Sequence, residues 1–296
     1  MLILISSYFS LFFTFYKKKV KEYLLMVEMN KKKYEIGVRR FNSVNWVGAF
    51  NLYKKETLRF LIVFGQTLFG PIVTSILFLL VISLAIGEER ANVLGVSYIQ
   101  FLAPGLIVMQ VIQQSFAHSS SSLIMGKMMG TISDIISSPL NSTEVTLAII
   151  LASVTRGIII SSISILVFYF AIDLKVYSFG ILILYLFLGS FLLGAAGFIA
   201  GLHCEKFDHM ATITNFFIVP LSFLSGTFYS IEKLPIILQK ISLFNPFFHI
   251  IDGFRYAVIG NSDGPIFFGF VYLLLLSFLL WIVCFYLYKK GYKIKF

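Results

Sequence analysis

The sequence predicts an all-α integral membrane protein of six transmembrane helices with an N-terminal interfacial helix. Hydrophobic residues fill 58% of its 296 positions and charged residues 13%, with a mean hydropathy of +0.89. That is more apolar surface than one water-soluble core buries. Six segments are long and apolar enough to supply the ~20 residues of a spanning helix: about 60–86, 98–117, 145–172, 179–201, 211–230 and 265–288. Twelve of the 24 Lys and Arg lie between Lys17 and Arg59, and four between Lys289 and Lys295. This clustering beside the first and last spans is the positive-inside pattern, and it places both flanks in the cytoplasm.

The opening MLILISSYFSLFFTFYKKK carries its apolar run before its lysines, the reverse of a signal peptide. Residues 1–28 therefore read either as a mis-assigned start, with translation beginning at Met26 or Met29, or as an extension forming a short seventh span. Residues 29–59 form a cytoplasmic N-terminus that ends in NWVGAFNLYKKETLRF. There aromatics alternate with Lys54, Lys55, Glu56 and Arg59, as in a helix lying at the membrane interface. The transmembrane domain occupies 60–288 and a cytoplasmic tail 289–296. Short external loops fall near 87–97 and 173–178, and cytoplasmic loops at 118–144 and 203–210. None has room for a soluble domain, so any energy-converting domain sits on another chain.

The remaining chemistry is sparse. The chain has no GxxxxGK[ST], HExxH or GxSxG. His118 precedes four serines, but no nearby carboxylate orients the imidazole for nucleophilic catalysis. With no soluble domain to carry a basic, aromatic-lined patch, the net charge of +10 reflects topology and contact with membrane lipid, and nucleic acid is not an expected partner. Cys204 and Cys284 match no metal or redox spacing.

Two polar features stand out within the spans. Gln110, Gln114 and His118 recur every four residues, with Gln113 on the same side, making a stripe on the second span. It either lines a path for a polar substrate or hydrogen-bonds to neighbouring helices. Arg156 lies about 16 Å along the third apolar segment at 1.5 Å per residue. Such a charge costs on the order of 3 kcal/mol near the bilayer centre, so it either faces the protein interior or snorkels to an interface. In the fourth span, Gly197 and Gly201 have the GxxxG spacing that lets helices approach closely.

The last distinctive stretch is FLSGTFYSIEKLPIILQKISLFNPFFHIIDGFR, broken by Gly226, Pro235, Pro246 and Gly253. Prolines start or break helices, and the two glycines are read as further bends. Glu232, Lys233 and Lys240 are too polar for the bilayer centre, Leu234, Ile236, Ile237, Leu238 and Ile241 are read as buried surface, and Asp252 and Arg255 have the spacing of a pair on one helical turn.

This stretch, from FLSGTFYS through LP to NPFFHIIDGFR, together with KETLRF, QTLFGPIVT, SYIQFLAPGLIVM, KMMGTISDIISSPLNSTEV, TRG and EKFDHM in that order, resembles the permease subunits of bacterial ABC-2 type exporters from about Asn45 to the end. The resemblance implies a permease of the bacterial cytoplasmic (inner) membrane, working as a homodimer or heterodimer with an ABC ATPase subunit under each half. ATP and Mg would be bound by that partner, and this chain would carry no cofactor and no catalytic residue. It further implies that GKMMGTISDIISSPL is the ATPase-coupling loop, with Lys127, Ile132, Asp134, Ile135 and Pro139 as its marked residues. By the same resemblance the broken stretch is a re-entrant helical hairpin between helices 5 and 6, shaped by Gly226, Pro235, Asn245, Pro246, Gly253 and Arg255. The exported substrate would be a drug, a lipid or a lipid-linked polysaccharide. A secondary transporter or channel is the alternative, and it calls for ionisable residues deep in the spans, where only Arg156 qualifies. A membrane-embedded enzyme lacks an acid, base and nucleophile set.

Overall fold

The computed structural model describes residues 44–86 and 93–293, without the side chains of residues 85 and 86. The expectations for residues 1–28, for 29–43 and for the last three residues of the tail lie outside the described residues.

Ten helices organise this region. They are α1 (Trp46–Ile62), α2 (Gly70–Ile86), α3 (Tyr98–Met128), α4 (Ile132–Ser137), α5 (Ser142–Ile172), α6 (Phe179–His203), α7 (Phe207–Thr227), α8 (Ile236–Phe244), α9 (Pro246–Ile259) and α10 (Ile266–Lys289). Six helical segments, Gly65–Leu84 and α3, α5, α6, α7 and α10, are long and apolar enough to cross a membrane. No β-strand occurs among the described residues, only an isolated bridge between Val93 and Val96.

Two boundaries differ from the sequence expectation for physical reasons. The first span does not begin smoothly at residue 60. α1 ends at Val63 (φ −104°, ψ 36°) and a π-helical turn, Gly65–Phe69, leads into α2. The Thr67 hydroxyl donates to the carbonyls of Phe60 and Val63, taking backbone acceptors from the regular ladder and marking the kink. The second span runs past residue 117 to Met128. Its serines do not break the helix, because Ser120 and Ser121 turn their hydroxyls back to the carbonyls of Phe116 and His118.

α3, α5, α6 and α9 form the core. Gly197 and Gly201 on α6 lie against α3 so closely that a β-carbon would sit 2.3 Å from the Phe116 carbonyl oxygen and 2.9 Å from that of Ser120. The GxxxG pair thus sets the approach of the two helices. α2, α7 and α10 leave many large apolar side chains uncovered, among them Leu77, Phe216, Phe217 and Leu275, a pattern of helices facing lipid or another chain.

Candidate functional site

The polar stripe and Arg156 meet. Arg156 on α5 is 7% exposed, and its Nη2 donates to Gln114 Oε1 on α3 and, at 3.4 Å, to the Thr67 carbonyl in the π-helical turn. Its guanidinium carbon lies 5.9 Å from the centre of the Phe60 ring. Arg156 is thus buried within the chain, its guanidinium among α3, the π-helical turn and Phe60. Of the stripe, Gln114 bonds to a neighbouring helix, while Gln110 and Gln113 are half-buried beside it.

One turn along α3, His118 stands edge-on to Phe60, ring centres 5.5 Å apart, and its carbonyl accepts from Arg59 Nη2 at 3.0 Å. Arg59 also donates to Ser121 Oγ and pairs with Glu56 at 3.0 Å. Glu56 is buried and accepts from Ser122 Oγ at 2.8 Å. Glu56 and Arg59 are three apart on α1, so both turn to the same helix face, and there they clasp α1 to α3.

Glu144 makes a second clasp. Its two carboxylate oxygens accept from the backbone N–H of Asn45 at 2.7 Å and of Asn141 at 2.8 Å, while Asn45 Nδ2 donates to the Pro139 carbonyl at 3.1 Å. The start of α1, the segment after α4 and the start of α5 are thereby held together.

The residues marked for ATPase coupling divide. Lys127 does not lie on a presenting face. It is buried in the last turn of α3, and its Nζ donates to the carbonyls of Gly201, Leu202 and Cys204. It satisfies acceptors that the end of α6 leaves free, where a cation is electrostatically favoured. Ile132 is buried and Ile135 half-buried, both in the apolar cluster that includes Leu52 of α1, whereas Asp134 and Pro139 are exposed. The exposed apolar surface here comes from Met128, Met129 and Ile136. Cys204 is 3% exposed, and burial pushes its thiol pKa up.

At the other end of the bundle, the broken stretch is a built structure. Gly226 ends α7 with φ +76°, a left-handed bend that favours glycine. Pro235 and Pro246 stand at the starts of α8 and α9, as prolines should. Asn245 joins two pieces, its Oδ1 accepting from Phe247 N at 3.0 Å and its Nδ2 donating to Ser225 Oγ at 2.8 Å.

Three expectations for this stretch are corrected. Gly253 makes no bend. It lies inside α9, where a β-carbon would fall 2.0 Å from the Tyr185 ring of α6, so its role is close packing. Asp252 and Arg255 form no ion pair. The loop after α9 folds back and brings a nearer carboxylate, so fully buried Arg255 pairs with Asp263 at 3.4 Å and donates to the Gly226 carbonyl at 2.6 Å. Its guanidinium carbon lies 4.0 Å from the centre of the Phe101 ring, and Asp252 instead accepts from Asp263 N and Gly264 N. Finally, Ile236, Ile237, Leu238 and Ile241 do not supply buried surface. They are exposed, Ile236 and Ile237 by more than 70%, and Leu234 is half-buried, because α8 lies outside the core and turns its apolar side away from the chain.

Sequence reasoning missed Asn45, Glu144 and Asp263: the Asn141–Glu144 spacing is a capping-box signal, but Asn45 lies 99 positions from Glu144 and Asp263 sits in a loop that carries no motif. Among the described residues no group of three or more His, Cys, Asp and Glu has the arrangement of a metal site.

This architecture has known relatives. The ABC-2 type transporter family profile matches residues 49–259. The inner membrane transport permease YadH of Escherichia coli K12 is 30% identical over 246 residues, 83% of this chain and 96% of that protein. YadH of Escherichia coli O157:H7 and of Shigella flexneri match to the same extent. The matched region is a membrane permease domain, a transport part without an ATPase domain. The chain belongs to the ABC-2 type transporter permease family.

Proposed function

We propose that this permease exports a drug, a lipid or a lipid-linked polysaccharide across the bacterial inner membrane, driven by ATP and Mg on a separate ABC ATPase subunit. In this reading both termini are cytoplasmic, α1 lies at the inner interface, and α8 and α9 form a re-entrant hairpin in the outer leaflet. Two permease chains, identical or related, pair through spans whose apolar faces the single chain leaves uncovered.

The observation that carries the reading is the connection between the α4 segment and α1. Met128, Met129 and Ile136 are exposed, and in this orientation they form an apolar cytoplasmic surface that is costly to leave in water and fits a groove on a partner. Through Pro139, Asn45 and Glu144 that segment holds the start of α1, and α1 in turn is clasped to α3 through Glu56 and Arg59. A push on α4 therefore reaches the spans through backbone and buried side chains.

The test is co-expression with the candidate ABC ATPase followed by affinity purification of the permease. Ile136→Asp and Met129→Asp should lose the ATPase while the permease still inserts. Full retention of the ATPase by both variants contradicts the docking surface, and transport by the permease with no ATPase bound would favour the secondary transporter or channel.

A further inference from the structure

We infer that Arg59, Phe60, Gln114, His118 and Arg156 form a binding site for an anionic headgroup, a phosphate or carboxylate carried by an amphiphile in the inner leaflet. This rests on the orientation proposed above and adds a ligand class to it.

The charge here is unbalanced. Two guanidiniums, Arg59 and Arg156, converge on this cluster, and its one carboxylate, Glu56, is taken up by Arg59 and Ser122. Among the described residues no carboxylate lies within ion-pair distance of Arg156. A buried cation without a counter-charge is expensive, and an anion from outside the chain removes that cost.

Hydrogen-bonding capacity is also unused. Arg156 Nε, both ring nitrogens of fully buried His118 and Ser119 Oγ have no partner. Buried polar groups are ordinarily satisfied, and two of these side chains border one aromatic ring, the Arg156 guanidinium carbon 5.9 Å from the Phe60 ring centre and the His118 ring at right angles to it. A guanidinium offers a fork of donors that suits phosphate and carboxylate oxygens.

The depth of the cluster fits as well. Gln114 lies sixteen residues from the Tyr98 end of α3, and Arg156 sixteen from the Ile172 end of α5, so both are about 24 Å from the outer ends of their helices. In a hydrocarbon layer of ~30 Å that is just short of the inner headgroups. Half-buried Gln110, Gln113 and Gln114, with the part-exposed Arg59 side chain, offer a polar way in. The kinked π-helical turn, whose Thr67 carbonyl Arg156 already touches, gives the site a joint that can shift, and such irregular turns are frequent at functional sites. An amphiphile fits better than a free anion, because its tail stays beside lipid-facing residues such as Phe69 and Leu77.

The test uses purified full-length permease in a neutral detergent, titrated with dioleoyl phosphatidylglycerol, dioleoyl phosphatidylcholine or inorganic phosphate and read by native mass spectrometry. The parent should retain phosphatidylglycerol over phosphatidylcholine. Arg156→Gln should weaken phosphatidylglycerol binding by about tenfold, the scale of one charged hydrogen bond, and Arg156→Lys should keep part of the preference. Should Arg156→Gln fail to insert, Arg59→Gln and Gln114→Leu are read by the same criterion. Inorganic phosphate bound by the parent and lost in the variant supports the anion site while overturning the amphiphile as its source. Equal retention of the two lipids by the parent, or an unchanged preference in the variants, overturns the site itself. No ATPase is present in this assay, so its outcome is independent of the co-purification above.

Discussion

Glu144 holds Asn45 by a 2.7 Å hydrogen bond from the Asn45 backbone N–H, across 99 positions of sequence. The same carboxylate accepts from Asn141 N at the start of α5, so one side chain bridges two helix starts. Leaving a buried backbone N–H without its acceptor costs about 1–3 kcal/mol. Glu144→Ala should therefore lower the melting temperature of the purified permease and, if α1 relays motion from α4, reduce ATPase stimulation by substrate. Glu144→Gln keeps an acceptor oxygen and should fall between the two. Parent-like stability in Glu144→Ala would show that the bridge carries no weight.

The Arg255–Asp263 pair is fully buried and holds the end of α7, the loop after α9 and α9 itself together. Breaking a buried pair by removing one partner costs about 3–5 kcal/mol. Asp263→Asn and Arg255→Gln should each lower permease yield and thermal stability strongly. The double variant should be far less damaged than the sum of the two, which a double-mutant cycle reads directly.

The two glycines of the stretch should respond differently. Gly253→Ala drives a methyl group into the Tyr185 ring and should be strongly destabilising, with partial rescue by Tyr185→Ala in the same chain. Gly226→Ala meets no close atom, its nearest neighbour being 3.6 Å away, and pays only for its left-handed backbone, about 1–2 kcal/mol. Thermal unfolding of the three variants in detergent tests the ordering.

Cysteine scanning separates the exposed and buried parts of the proposed hairpin. Cys204 and Cys284 are buried, and the raised pKa of the Cys204 thiol keeps it from forming the reactive thiolate at neutral pH. Both should stay unlabelled in the folded protein. Cysteine at Glu232 or Lys240 should react with a membrane-impermeant maleimide added from outside, and cysteine at Ile250 should not. Labelling of Ile250→Cys at a similar rate would mean that α9 is not packed as described.

The six spans were legible because crossing a membrane demands a long apolar window, which composition records directly. Pro235 and Pro246 were legible because a proline restricts its own backbone wherever it stands. Gly197 and Gly201 announced a helix contact by spacing alone. The destination of a side chain was not legible. Lys127 looked like part of an exposed loop and instead caps a neighbouring helix, since nothing local records which carbonyls will arrive beside it. The apolar side of α8 was misread for another reason: burial in protein and exposure to lipid select the same residues, so Ile236 and Ile237 look alike in both settings. The partner that Arg156 meets, Gln114 on α3, was not legible either.

In the proposed complex α4 meets an ABC ATPase on the cytoplasmic side while α8 lies at the opposite face. A photo-crosslinking amino acid placed at Ile136, and separately at Ile237, tests this in cells that express the permease together with the candidate ATPase. Position 136 should give a permease–ATPase crosslink and position 237 none; a crosslink from 237, or none from 136 with the ATPase present, rules out this arrangement.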